Sequence, residues 1–353
     1  MVKDFKIFNK KISLNSEPFI IAEIGVNHNG SLKLAKKLID LAKLNKAHSV
    51  KFQTYNPKNL VSNNAKKAPY QIKNTKKSKE SQFDMLKKLQ LSYSDHLELL
   101  RYCKKKKIIF LSTPYNFEDV DLLERLNVPA FKLASMHLTE LSFIEYVARK
   151  KKPVILSTGM SNIKQIREAV IILKRYLNNK FILMQCTTDY PAKINEANIN
   201  VLREFKKLFK CHLGYSDHTE SNVSAISAIS LGAVAIEKHI TLNKKLPGPD
   251  HKCSLNPKEF SNYTKDILAA KVSLGSSKKK ISFNEKKNIK FMRRSIYSKE
   301  YIKKGKKISL SDLEFKRPQN GIPSSKAKNI LGAVATKDIF SNTLLNKNFF
   351  KFK

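Results

Sequence analysis

Eight short apolar runs in the first 241 residues each end on a polar or charged side chain. They cover 19–26, 49–54, 108–115, 130–135, 153–160, 181–190, 212–219 and 233–241. Near their C-terminal ends stand Glu23, Lys51 with Gln53, Thr113, Lys132 with Ser135, Ser157, Thr188 with Tyr190, Ser216 with His218, and Glu237 with His239. Helical spacing joins most of the runs. Strand alternating with helix points to parallel βα units, and eight of them predict a closed (β/α)8 TIM barrel of the α/β class. In that fold the C-terminal rim carries the chemistry. One polar strand end means little; eight of them outline a pocket.

A barrel takes about 250 residues, so a chain of 353 leaves room for a small second domain. The predicted division is 1–274 for an N-terminal hairpin plus the barrel, 275–290 for a flexible, charged linker opening on Gly275-Ser276-Ser277, and 291–353 for a β-rich domain. Within the last, Glu300-Tyr301-Ile302 through Asp312-Leu313 resembles Asp338-Ile339-Phe340 through Asn348-Phe349, a short internal repeat. Residues 4–16 alternate around Asn9-Lys10-Lys11, which predicts a hairpin plugging the barrel's N-terminal end. Between the second and third runs, residues 55–91 form a long connection of the kind that more often serves function than idles.

The formal charge is +39, from 68 basic against 29 acidic residues, and only nine of the basic residues are Arg. Recognition of bases and phosphates favours the planar Arg fork. The excess therefore reads as residue-usage bias giving a basic surface, and a nucleic-acid role is disfavoured; the field still concentrates an anionic substrate. Cys103, Cys186, Cys211 and Cys253 form no CxxC pair, which predicts reduced thiols. No run reaches the ~18 apolar residues of a membrane span, and the N-terminus has no signal-like core. A cytoplasmic protein with no membrane partner is the expectation.

His218 and His239 close neighbouring runs, which sets two imidazoles side by side on the rim. Such a pair leaves positions open for water or a substrate oxygen on a divalent cation. Mixed nitrogen and oxygen ligation suits Mn²⁺, Co²⁺ or Mg²⁺ as well as zinc. Glu237 shares a strand face with His239 and can act as a third ligand or as an orienting partner. Lys51 and Lys132 should point into the barrel, where a charge must be paired. With Thr113, Ser135 and Ser157 they make a site for a phosphate or a carboxyl-phosphate ester. The other readings of the lysines are salt bridges to Glu23 and Glu237, or a Schiff base. Glu23 suits general-base work or a sugar hydroxyl. Gln53 and Tyr190 suit polyol recognition, and the Pro247-Gly248-Pro249 turn presents Asp250.

Six segments resemble the sialic acid (N-acetylneuraminate or nonulosonate) synthases: 22–30 (AEIGVNHNG), 50–54 (VKFQT), 156–160 (LSTGM), 215–218 (YSDH), 236–239 (IEKH) and 248–251 (GPDH). Residues 316–321 (KRPQNG) are similar to the motif of that family's C-terminal antifreeze-like (SAF) domain. The resemblance implies a transferase that condenses phosphoenolpyruvate with an N-acyl hexosamine and water, releasing phosphate by C–O cleavage. It implies that Lys51, Thr113, Lys132, Ser135, Ser157 and Thr188 hold phosphoenolpyruvate. His218 and His239 would hold the metal, most simply Mn²⁺, and Gln53, Tyr190, Ser216, Asp250 and Arg317 would meet the sugar. Glu23, then Glu237, would handle protons. A domain-swapped homodimer is implied too, Arg317 matching the Arg that the SAF domain donates across it. Met136-His137, Gln319 and Asn45-Lys46-Ala47 depart from the family pattern.

N-acetylmannosamine, giving N-acetylneuraminate, is the first expectation for the acceptor. The alternative is a 2,4-diacetamido-trideoxy-hexose, giving an N,N'-diacetyllegionaminate or a pseudaminate. A basic nucleic-acid-binding or sugar-binding barrel without activity is the reading from another class.

Overall fold

The computed structural model describes residues 2–352, and the chain divides into two compact units after Gly275. In the first unit eight parallel strands form a nearly closed barrel. They are β1 (Phe19–Gly25), β2 (Ser49–Thr54), β3 (Ile109–Pro114), β4 (Phe131–Leu133), β5 (Val154–Ser157), β6 (Phe181–Cys186), β7 (His212–Asp217) and β8 (Ala233–His239). The ladder runs β3-β2-β1-β8-β7-β6-β5-β4, so β3 and β4 lie side by side at the seam without pairing. Each strand is followed by a helix, from Leu32–Leu44 after β1 to Pro257–Ser273 after β8.

Alternation along the strands sorts the side chains into two environments. Ile20, Ala22 and Ile24 of β1 face outward into the main core beneath the helices, while Phe19 and Ile21 face the barrel interior. The helices supply the matching stripe. In Ile163–Leu177 the buried residues are Ile166, Ala169, Val170, Leu173 and Leu177, at helical spacing, and Asn162 caps the helix by accepting from Gln165 N. Fully burying each large side chain contributes about 1.5–3 kcal/mol.

Strands Phe5–Ile7 and Lys10–Ile12 form the predicted hairpin, and Phe5, Ile7 and Ile12 join the apolar interior layer with Ile109, Leu111, Ile155, Ile182 and Met184. The barrel's N-terminal end is thus plugged by side chains. The turn sits at Phe8-Asn9 rather than at Asn9-Lys10-Lys11, because Lys10 and Lys11 pair with Ile7 and Lys6 in the ladder. Several strands also stop earlier than the apolar runs do. Ser135 opens a 3-10 turn beyond β4, and Thr188, Tyr190 and His218 lie past the ends of β6 and β7. Hydrophobicity continues into the rim, but the ladder hydrogen bonds do not.

The second unit has its own core, built from Ile296, Ile302, Ile308, Leu313, Ile330, Ile339 and Leu345 among others. Ser295–Ser298 pairs with Leu313–Lys316, and Val334–Ala335 pairs with Phe350–Lys351, both antiparallel. The two copies of the sequence repeat meet where Ile302 bridges Ile339. The stretch read as a flexible linker contains a helix, Phe283–Met292, opened by a Ser282–Glu285 capping box. No described helix is long and apolar enough to cross a membrane, and the four cysteines are free thiols.

A buried histidine, His28, and a half-buried one, His48, give the barrel a pH-dependent stability. His48 Nδ1 accepts from Ile20 N–H at 3.1 Å, and His28 Nδ1 accepts from Gly30 N–H at 3.0 Å, so each ring must be neutral on that nitrogen. Burial pulls both imidazoles down to about 4. In the unfolded chain they take up protons near 6.5, roughly. Their stabilisation is therefore complete above that value and lost as pH falls from there toward 4. Thermal unfolding is expected to show a Tm about 5 °C or more lower at pH 5 than at pH 7.5. His48→Gln, which keeps an acceptor but cannot titrate there, should shrink that drop.

Candidate active site

Inward positions near the C-terminal ends of the strands change from apolar to polar in one layer: Glu23, Lys51, Thr113, Lys132, Ser157, Cys186, Ser216 and Glu237. With the rim loops they line a cavity of about 480 Å³. Of the predicted site residues, Glu23, Lys51, Gln53, Thr113, Lys132, Ser135, Ser157, Thr188, Tyr190, Ser216, His218, Glu237, His239 and Asp250 all face this cavity. Arg317 belongs to the second unit, where it is exposed.

Two lysines and two carboxylates form a buried network on the cavity floor. Lys51 Nζ lies 2.8 Å from Glu23 Oε2 and 3.8 Å from Glu237 Oε1, and donates to Thr113 Oγ1 at 3.0 Å. Lys132 Nζ donates to Glu237 Oε1 at 3.2 Å. The salt-bridge alternative for the lysines is therefore what this structure holds. Burial works against the Lys51 ammonium, but Glu23 and Glu237 outweigh it and keep its pKa above the ordinary value. For Lys132 burial wins over Glu237, and the pKa is lowered. Burial also pushes the Glu23 carboxyl up to about 7, against the pull of Lys51. Glu237 goes the other way, because Lys132 and Lys51 together overcome its burial.

Hydroxyls fill the wall beside the lysines. Ser157 Oγ is buried with no partner, and Ser135 Oγ accepts from Gly159 N–H at 2.9 Å. A Cβ on Gly159 would lie 2.1 Å from Thr188 Oγ1 and 2.9 Å from Ser135 Oγ, so glycine leaves both hydroxyls their place in the wall. Two ammoniums flanked by hydroxyls suit a small polyanion chemically.

Across the cavity the ring centroids of His218 and His239 lie 5.5 Å apart, and the Tyr190 ring packs against His218 at 4.2 Å, tilted by 35°. His218 Nδ1 is hydrogen-bonded to Thr187 O at 2.7 Å, which leaves Nε2 as its free nitrogen. His239 Nδ1 is buried without a partner, and Asp250 Oδ2 stands 3.9 Å away. Among the described residues no three His, Cys, Asp or Glu side chains converge into a metal cage. The donor set fits a divalent cation held by two imidazoles and completed by water or substrate oxygens. Glu237 Oε1 is engaged by Lys132 Nζ at 3.2 Å and by Ser216 Oγ at 3.3 Å rather than by either imidazole.

A family model described as the NeuB family matches residues 38–279, and one described as the SAF domain matches 293–351. The chain belongs to the NeuB family. It is 44% identical to the N,N'-diacetyllegionaminic acid synthase of Campylobacter jejuni, over 93% of this chain and 98% of that one. The enzyme of the same name from Legionella pneumophila is 39% identical over 93% of both. Among solved structures, the N-acetylneuraminic acid synthetase of Leptospira borgpetersenii, crystallised with citrate, superposes with a TM-score of 0.72 at 30% identity, over 82% of this chain and 96% of that one. The resemblance to nonulosonate synthases is thereby shown, and with it the barrel followed by an SAF domain.

Set against this NeuB-family frame, the site holds residues that the motifs did not reveal. Tyr70, from the rim helix Pro69–Thr75, packs its ring 5.0 Å from that of Tyr190, tilted by 31°, and lines the cavity. Asn74 of the same helix donates to Pro249 O at 2.6 Å, tying the long β2–β3 connection to the loop that carries Asp250. Val26, Leu60, Val61, Met85 and Leu86 give the cavity an apolar flank, and Cys186 closes β6 inside it. Length was the signal for that connection, since a long rim loop seldom lies idle. Cys186 was legible from the alternation of β6, two residues past Met184. The departure at Met136-His137 divides in two: Met136 lines the cavity, while His137 is buried behind it against Glu140.

Proposed function

We propose that this chain condenses phosphoenolpyruvate with a 2,4-diacetamido-trideoxymannose and water, giving an N,N'-diacetyllegionaminate and inorganic phosphate. The observation that carries this reading is the end-to-end likeness to two diacetyllegionaminic acid synthases, well above that to the sialic acid synthetase. It displaces N-acetylmannosamine, the first expectation from sequence, in favour of the alternative. The apolar flank supports it: Leu60, Val61 and Met85 suit an acceptor with a methyl and a second acetamido group where N-acetylmannosamine has hydroxyls.

Lys51 and Lys132 take the phosphate and carboxylate of phosphoenolpyruvate, with Thr113, Ser135, Ser157 and Thr188 donating from the wall. Gln53, Tyr190, Ser216 and Asp250 orient the acceptor over the methylene carbon. That carbon attacks the aldehyde, water adds at the adjacent cationic carbon, and phosphate departs by C–O cleavage. Glu23 moves the protons, with Glu237 keeping the lysines charged. A divalent cation, with Mn²⁺ the first candidate and Mg²⁺ or Co²⁺ behind it, would be held by His218 and His239 and would supply Lewis-acid polarisation of a carbonyl oxygen. The assembly proposed is the domain-swapped homodimer, in which Arg317 of one copy meets the acceptor's N-acyl group bound to the other.

The test is phosphate release with the two sugars offered in parallel. The diacetamido sugar is expected to have a kcat/KM about 100-fold above that of N-acetylmannosamine, since a flank built for a methyl and an acetamido group leaves hydroxyls unpaired. A preference for N-acetylmannosamine would overturn the proposed acceptor. No release with either would overturn the condensation.

A further inference from the structure

The same two strand ends that carry His218 and His239 inward carry a buried ion pair on their outer side. Asp217 and Lys238 are cross-strand partners on β7 and β8, each one residue before a histidine. Alternation puts them on the opposite face from the imidazoles. Asp217, Lys238 and Tyr263 of helix Pro257–Ser273 are at most 1% exposed, and none lines the cavity.

Every oxygen of Asp217 is used. Oδ1 accepts from Thr219 N–H at 2.9 Å and from Thr219 Oγ1 at 2.8 Å, so it closes the turn that contains His218. Oδ2 accepts from Tyr263 OH at 2.8 Å and faces Lys238 Nζ at 3.2 Å. Lys238 also donates to Thr219 O and sits 5.4 Å from the Tyr263 ring centroid. One carboxylate thus ties the His218 turn, the strand before His239 and the covering helix together. A buried ion pair is weak evidence for stability, because apolar residues of the same volume often serve as well. Its position, one residue from each imidazole, gives it a different task.

We infer that Asp217, Lys238 and Tyr263 act as a clamp that fixes the spacing and orientation of His218 and His239, and so set the affinity of the site for a divalent cation. These are positioning residues, and the inference rests on the reading of the histidine pair as metal ligands.

The test titrates Mn²⁺ alone into the full-length protein, following loss of the free-ion electron paramagnetic resonance signal. Tyr263→Phe, which keeps the ring, and Lys238→Met are each expected to weaken Mn²⁺ about ten-fold. Binding of phosphoenolpyruvate without metal, read by calorimetry, should stay within about two-fold of wild type, because its proposed contacts lie on other strands; a variant that merely loosened the barrel would lose both. Mn²⁺ affinity equal to wild type in Tyr263→Phe overturns the clamp, provided His218→Ala abolishes binding in the same titration. Should His218→Ala bind as tightly as wild type, the metal reading fails instead. The clamp is then judged on the histidine-ring NMR signals: movement of the His218 and His239 resonances in Tyr263→Phe sustains it, and unchanged rings overturn it.

Discussion

Lys132→Met is expected to lower phosphate release by about a thousand-fold, as loss of a buried charge-stabilising donor does. Lys132 is 2% exposed on β4, and its hydrogen-bond partner there is Glu237, at 3.2 Å. When a polyanion enters, that ammonium has a choice between the carboxylate and the ligand. Its lowered pKa marks a cation that burial already disfavours, so a second negative neighbour stabilises it most. The loss should fall mainly on kcat/KM for phosphoenolpyruvate. The fold should survive, because Glu237 keeps Lys51 at 3.8 Å. Lys51→Met is the harsher change, since Lys51 serves Glu23, Glu237 and Thr113 together. Steady-state phosphate release beside a thermal melt separates the two. A Lys132→Met enzyme that turns over near the wild-type rate would leave the lysine as a salt-bridge partner only, and the anion site would have to be sought elsewhere.

This competition explains why sequence could pose the question of the lysines without answering it. Salt bridges to Glu23 and Glu237 and an anion site need the same residues at the same strand ends. The barrel itself was legible because parallel strands buried on both faces read as continuous apolar runs. The change from Ile21 to Glu23, or from Ile155 to Ser157, then marks where the interior turns into a pocket. Strand ends were less legible. Ser135, Thr188 and Tyr190 continue apolar runs yet lie in loops, because backbone pairing stops where the chain must turn outward. Asp217 and Lys238 read as ordinary polar positions beside two histidines, and nothing in spacing reveals that helix Pro257–Ser273 covers them. Tyr263 is 46 residues from Asp217, and only the fold brings its hydroxyl there. The helix Phe283–Met292 was hidden by its Lys-rich surroundings, although Ser282 and Glu285 already spelled a capping box.

Glu23→Gln is expected to reduce kcat by about 10²–10⁴-fold, the range for losing a positioned proton carrier, while leaving phosphoenolpyruvate affinity close to wild type. Glu23 is 1% exposed, and burial pushes its carboxyl up to about 7, close to the pH at which a proton carrier is most effective. A bound polyanion on Lys51 and Lys132 adds negative charge beside it and removes part of the lysine's pull, so the carboxyl rises further in the complex. Below that value Glu23 is neutral and can donate to the aldehyde oxygen as it becomes a hydroxyl; above it the proton is gone. Activity should therefore fall as pH rises through and beyond about 7, and that alkaline limb should be missing from the residual activity of Glu23→Gln. Space limits other replacements. A side chain at Gly25, which has φ +54°, would crowd the carboxyl, its Cβ standing 3.1 Å from Glu23 Oε1 and 3.4 Å from Gln53 Nε2. The isosteric amide keeps the shape and the contact with Lys51 but cannot titrate. A Gln variant that kept both the wild-type rate and the alkaline limb would move the proton work to Glu237, whose carboxyl the two lysines hold below its usual range.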